Sequence, residues 1–226
     1  MRNKQTILTG CIVTLTLLFA GMSWADDDHG MVSYKVTVTN LTGHQPLSPI
    51  LVATHRGGMS FFQPGETASD ELAAMAEAGN AMPLAEKLSD MHGVSAVEVS
   101  AGITAPGQTT TVIIKARRHR DHLSVGTMLV NTNDAFAAVA NVHLPKRGHA
   151  VTYMAPAYDA GTETNDELCA NVPGPACGGA GLSPMDTGEG FVTIHNGIHG
   201  IGGLMASQYD WRNPVAKIVV ERMHDD

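Results

Sequence analysis

The sequence predicts an all-β domain: a two-sheet antiparallel β-sandwich of C2-like or immunoglobulin-like shape, with one or two short helices between its early strands. Three observations point there. Apolar and polar residues alternate with period two in one segment after another, β-branched residues fill those segments, and Gly, Pro and Asn punctuate the gaps.

The clearest strand is 34–41, where Tyr34, Val36 and Val38 share one face and Lys35, Thr37 and Thr39 the other. Eight further segments qualify: 50–55, 94–100, 109–116, 124–131, 136–142, 150–157, 191–195 and 215–223. One stretch breaks the rule. Thr67-Ala68-Ser69-Asp70 opens like a capping box, and Leu72, Ala73, Met75, Ala76 and 84–88 carry high helix propensity, interrupted by Gly79, Asn80 and Pro83. This predicts a helix over 69–78 and a short second one over 83–88, lying over one end or edge of the sandwich. From 163 to 190 the alternation disappears, which predicts a long irregular loop of the kind that carries function.

Residues 1–25 read as an export signal. Arg2 and Lys4 precede an apolar run over 7–20, and Ser23-Trp24-Ala25 supplies small residues for cleavage. The run is shorter than the roughly 20 residues of a bilayer span, so no membrane span is expected in the mature chain. Residues 26–33 read as a flexible acidic lead, and 34–223 as one domain. The signal removes two basic residues and no acidic one, leaving 12 basic against 22 acidic side chains, a net charge of −10 with His neutral. Nucleic acid and anionic membrane both demand a basic face and are excluded as partners; divalent cations are permitted.

Two cysteines remain beyond the signal, Cys169 and Cys177, bracketing a Pro-Gly-Pro turn. In an oxidising compartment they read as a local disulfide. A thiolate metal pair fits less well, because the separation of eight departs from the short spacing of such pairs. Catalytic templates are absent from the sequence: it has no Gly-x-Ser-x-Gly elbow, HExxH helix, phosphate loop or dinucleotide fingerprint. The expectation is a protein that is not an enzyme.

The stretch 158–167 holds four carboxylates, Asp159, Glu163, Asp166 and Glu167, and no aliphatic residue larger than Ala. It is either a solvated acidic turn or a set of oxygen ligands for a hard cation. Several ordered motifs bear on the choice: 34–41 followed by Gln45-Pro46-Leu47-Ser48-Pro49, Gly65-Glu66 leading into 72–80, Asp134 with Phe136, and Asp159-Ala160-Gly161-Thr162. Together these resemble the spondin N-terminal domain family, in particular its exported bacterial members, over about residues 34–221. The resemblance implies a sandwich that binds Ca²⁺ at one end, with animal relatives in extracellular-matrix proteins of cell adhesion. The family's ligands are an Asp in a Ser-Pro-Asp-Trp-Phe stretch and two Asp in Asp-Ala-Gly-Thr-Asp. Asp134 stands at the first position in Thr132-Asn133-Asp134-Ala135-Phe136, and Asp159 at the second. Glu163 replaces the last Asp and lengthens that ligand by a methylene. The implied ligands are therefore Asp134, Asp159 and Glu163, and the implied role is a periplasmic or secreted binding or adhesion module for a protein or an extracellular or envelope ligand.

Histidine supplies the alternative. All eleven His lie beyond the signal, with Arg118-His119-Arg120-Asp121-His122 and His195-Asn196-Gly197-Ile198-His199 the tightest groups and His44, His55, His143 and His149 scattered. Converging imidazoles bind Zn²⁺ or Cu²⁺. His195 and His199 flank Gly-rich backbone where a turn could aim both rings at one point, so they are the alternative metal ligands, of a His-based Zn²⁺- or Cu²⁺-binding periplasmic protein or metalloenzyme.

Overall fold

In a computed structural model, residues 30–146, 148–183, 185–186 and 188–224 are described. The expected signal and the acidic residues up to 29 lie outside the described residues. The elements run β1 (Met31–Asn40), β2 (Leu51–His55), α1 (Asp70–Ala78), α2 (Met82–Asp90), β3 (Val94–Val99), β4 (Thr109–Arg117), β5 (His122–Met128), β6 (Ala135–His143), β7 (Ala150–Ala155), β8 (Ala157–Asp159), β9 (Thr193–Ile194), α3 (Ala206–Tyr209) and β10 (Ala216–Arg222). Two antiparallel sheets result, one ordered β4-β1-β10-β7 and the other β3-β2-β5-β6-β8-β9. The expected β-sandwich is present.

The burial of each strand explains its pattern. β1 alternates between buried and half-buried residues because one face packs inward and the other meets solvent. Val36, Val38, Ile114, Ile218 and Val220 of the four-stranded sheet meet Val52, Leu123, Val125, Ala135 and Ala137 of the other to form the central core. β2 is buried throughout, since its second face is also covered. Leu51, Ala53, Phe136 and Ala138 on that outer face pack with Leu72, Met75, Ala76 and Leu84 of the helices in a second core. The helices thus lie on the face of the six-stranded sheet, with α2 against its edge strand β3, and not at an end of the sandwich.

Local chemistry fixes the helix limits. The Ser69 side chain accepts from the Leu72 N–H, Asp70 and Glu71 occupy the positive first turn, and Gly79 turns left-handed at φ 64° to bond its N–H back to the last carbonyls. Pro83 sits in the first turn of α2, where its missing N–H costs nothing.

Several boundaries differ from expectation, among them β5, which runs 122–128 and not 124–131. β1 begins at Met31, so residues 31–33 are strand rather than flexible lead, because Met31 to Ser33 still find partners at Lys115 to Arg117. The expected strand 150–157 is two strands in different sheets. Ala155 pairs with Ala216, Pro156 breaks the ladder because it has no N–H, and Ala157 pairs with Ala137. The expected strand 191–195 shrinks to two residues beside β8. There are therefore ten strands among the described residues, not nine. None of the described helices is long and apolar enough to cross a membrane.

Candidate functional site

The ladder between β6 and β8 brings the two sequence-predicted Asp residues together. Ala135 pairs with Asp159, so Asp134 stands one step before β6 beside the last residue of β8. Asp134 is completely buried. Its Oδ2 accepts from the N–H of Thr162 at 2.8 Å and of Glu163 at 3.1 Å, and from the Thr162 hydroxyl at 3.3 Å. Its Oδ1 is buried with no hydrogen-bond partner among the described residues. Burial and then the charge of Asp159 push the Asp134 carboxyl up to about 8.

Asp159 sits at the wall of a cavity of about 230 Å³ that also includes Glu167, Glu189, His195 and His199. Its Oδ1 accepts from the Gly161 N–H at 2.7 Å and its Oδ2 from the Asn165 amide at 2.5 Å. Burial and then the charge of Glu189 push it up to about 6. Gly161 makes this turn possible. Its φ is +68°, and a Cβ there would stand 2.3 Å from the Phe191 carbonyl oxygen.

Glu163 is turned elsewhere. Its backbone N–H serves Asp134, whereas its carboxylate accepts from the Ser183 hydroxyl. The nearby charges that join burial in raising it to about 7 are Glu77, Asp186 and Asp166. The acid that acts on both Asp134 and Asp159 is Glu189, an exposed residue of the long loop whose Oε1 accepts from the same Asn165 amide at 3.3 Å. Pattern reading over 158–167 could not reach it across more than twenty residues of irregular chain.

The remaining carboxylates of the acidic stretch staple loops. Asp166 accepts from Asn133 at 3.1 Å, the Leu168 N–H at 2.8 Å and Asn171 at 2.6 Å. Glu167 is buried and accepts from three successive N–H groups, of His199 at 2.5 Å, Gly200 at 2.7 Å and Ile201 at 3.0 Å. That is a nest in which a charge-assisted bond closes each donor. Cys169 and Cys177 form a disulfide that closes the next turn.

His195 is held by both ring nitrogens. Nδ1 accepts from the Gly197 N–H at 2.9 Å, which leaves the proton on Nε2 to be donated to Asn165 Oδ1 at 3.0 Å. Burial, then the charge of His199, lowers it to about 4, so it is neutral. His199 is exposed on the same cavity, fastened through its backbone. In this arrangement His195 orients Asn165, which in turn orients Asp159.

The Spondin_N family model matches residues 18–168, about two-thirds of the 226-residue chain. The chain belongs to the spondin N-terminal domain family. No curated protein matches it. The spondin match takes in Asp134, Asp159 and Glu163 and stops before Glu189 and His195, so the ladder-borne acids lie within the family segment and the loop that completes the cavity lies beyond it.

Proposed function

We propose that this spondin-type domain is an exported binding or adhesion module, not a catalyst, in which a Ca²⁺ ion orders the loops at one end of the sandwich. The observation that carries the reading is the Asp134 Oδ1: a carboxylate oxygen with no exposure and no hydrogen-bond partner among the described residues, next to a second buried acid. Such a group costs on the order of several kcal/mol to keep ionised and unpaired. A divalent cation removes both the desolvation and the repulsion.

The chemistry of the donors suits that ion. Asp134 and Asp159 would hold it, with carbonyls or water completing the six to eight oxygens Ca²⁺ prefers; Glu189, whose charge acts on both, does not stand within 4.8 Å of the two together and would have to move inward to serve as a third carboxylate. The ion would supply positive charge and loop order. The chain's own residues supply the rest: Gly161 and Asn165 aim Asp159, the Thr162 and Glu163 N–H groups aim Asp134, and Glu167 anchors 199–201 at the cavity mouth. Export is supported by the disulfide and by the expected signal. The ordered loops would present the partner surface, a protein or an extracellular or envelope ligand.

Calcium titration followed by thermal unfolding tests this. Ca²⁺ raises the melting temperature of the wild type, EGTA lowers it, and Asp134→Asn abolishes the difference; equal melting of wild type in Ca²⁺ and EGTA refutes it.

A further inference from the structure

We infer that Asp121, His122 and His143 form a second metal site, for a divalent ion that prefers imidazole nitrogen such as Zn²⁺ or Cu²⁺, at the end of β6 remote from the acidic loops. His122 opens β5 and His143 closes β6, and the antiparallel register sets them directly opposite each other. Their rings lie 4.2 Å apart between centroids. Asp121 reaches both: Oδ1 is 2.9 Å from His122 Nδ1 and Oδ2 is 4.0 Å from His143 Nδ1. One donor atom from each of the three lies within 4.8 Å of the other two, the one such His, Cys and carboxylate group among the described residues.

A bulge builds the pair. Between Leu123↔Val142 and Val125↔Val139, β6 carries two residues against the single Ser124 of β5. Asn141 absorbs the extra residue at φ +55°; its N–H donates to Ser124 Oγ and its side chain accepts from the Gly58 N–H. Ala135, Ala137 and Val139 face the central core. By strict alternation residue 143 would join them. The inserted residue switches the face, and the exposed His143 comes to stand beside the largely covered His122 ring.

The chemistry selects the ion. Two imidazoles and one carboxylate match the His₂-carboxylate sets of zinc and related centres, which keep a coordination position for water or an external group. Ca²⁺ wants six to eight oxygens and would find one carboxylate here, next in sequence to Arg118, His119 and Arg120. Bonds of about 2.0–2.1 Å to the ion set donors roughly 3.3 Å apart. His143, 75 % exposed, can swing to close the remaining gap. His55, next in register beyond His122, is not a ligand: its ring nitrogens are engaged by the Arg56 carbonyl and Ser124 Oγ, both at 2.8 Å. Gly57 lies against the His122 ring, and a Cβ there would stand 2.9 Å from its Cε1.

The site is distinct from the calcium reading. The eight steps of β6 put it roughly 26 Å from Asp134. The test is titration of the untagged full chain with Zn²⁺, and separately Cu²⁺, in excess Ca²⁺ to keep the acidic end saturated. One equivalent of Zn²⁺ binds; His143→Ala and Asp121→Asn each weaken it at least about tenfold, since even outer-shell changes cost about 10–100-fold. Gly57→Ala, which displaces the His122 ring without touching a donor, weakens it as well. Cu²⁺ bound to wild type shows imidazole nitrogen coupling by electron paramagnetic resonance, and His143→Ala loses part of it. Absence of stoichiometric binding, or His143→Ala binding as tightly as wild type, overturns the inference and leaves the calcium reading untouched.

Discussion

Replacing Asp134 by Asn removes one charge and keeps the shape. The amide oxygen can take over the bonds that Oδ2 accepts from Thr162 and Glu163, and the new NH₂ occupies the place of the unpartnered Oδ1. Without a cation, the folded wild type holds the Asp134 proton up to about pH 8. The unfolded chain releases it near pH 4. Over that window the folded state binds the extra proton, so stability is full at the acid side and falls as pH rises. Asp159, raised to about 6, and Glu163, raised to about 7, act in the same direction at lower pH. His195 acts oppositely: it is neutral in the fold with its value lowered to about 4, so its contribution is lost as pH falls below about 6.5. From pH 6.5 to 8, therefore, Asp134 contributes throughout and Glu163 only up to about 7. Each pH unit over which one extra proton is held costs up to about 1.4 kcal/mol, so the wild type in EGTA loses about 2 kcal/mol there. For a domain of this size that is roughly 4–8 °C of melting temperature. Urea or thermal unfolding at pH 6.5 and 8, with EGTA and with Ca²⁺, measures it. Wild type in EGTA shows the loss, Ca²⁺ suppresses it by keeping the carboxylates ionised, and Asp134→Asn keeps only the smaller slope that Glu163 contributes near pH 7. A wild type whose stability without calcium is constant or rises from pH 6.5 to 8, or a variant that keeps the full wild-type slope, refutes the reasoning.

Three further perturbations separate the parts of the loop end. Glu167→Gln sets an NH₂ against backbone donors now satisfied by a carboxylate, and a loss of about 2–3 kcal/mol in urea unfolding is expected. Gly161→Ala meets the Phe191 carbonyl at a left-handed φ, so it destabilises by more than about 1 kcal/mol and weakens Ca²⁺ in a titration by misaiming Asp159. The double change Cys169→Ala and Cys177→Ala opens the short disulfide ring for about 2–3 kcal/mol. Limited proteolysis then cuts within 163–190 before any strand.

The strands were legible where one face meets water, as in β1, and the helix start was legible in the Ser69 cap. What alternation could not show is which strands are covered twice. Leu51 to His55 reads as a strand by length and branching, yet nothing within it says that helices cover its outer face. The corner at Pro156 had one sequence signal, the proline itself, because the apolar pattern runs straight through it and the Asn213 side chain that accepts from the Ala157 N–H comes from across the fold. Asp134 and Asp159 were legible because a ladder places them. Glu189 and the orientation of Glu163 depend on the path of an irregular loop, which leaves no periodic trace. The pairing of His122 with His143 turns on one inserted residue, and a strict period-two reading puts them on opposite faces.

Magnitudes connect the acidic end to its surroundings. Extracellular calcium modules bind with constants of about 10⁻⁴–10⁻³ M. At ~1 mM free ion, the tight end of that range stabilises the folded state by about 1.4 kcal/mol. The deprotonation of Asp134 between pH 6.5 and 8 costs about 2 kcal/mol in the absence of the ion. The two are of the same size, so at neutral pH neither proton nor calcium dominates by a wide margin. Below about pH 6 the proton holds the Asp134 oxygen and calcium has little to gain. Toward pH 8 the same oxygen is charged and calcium is the cheaper way to keep it buried. Because Thr162, Glu163 and Gly161 donate to these two carboxylates, the loop that would face a partner tightens or loosens with that competition. Calcium affinity measured at pH 6 and pH 8 should therefore differ by at least tenfold in the wild type, and a pH-independent affinity would mean that the ion does not displace the Asp134 proton.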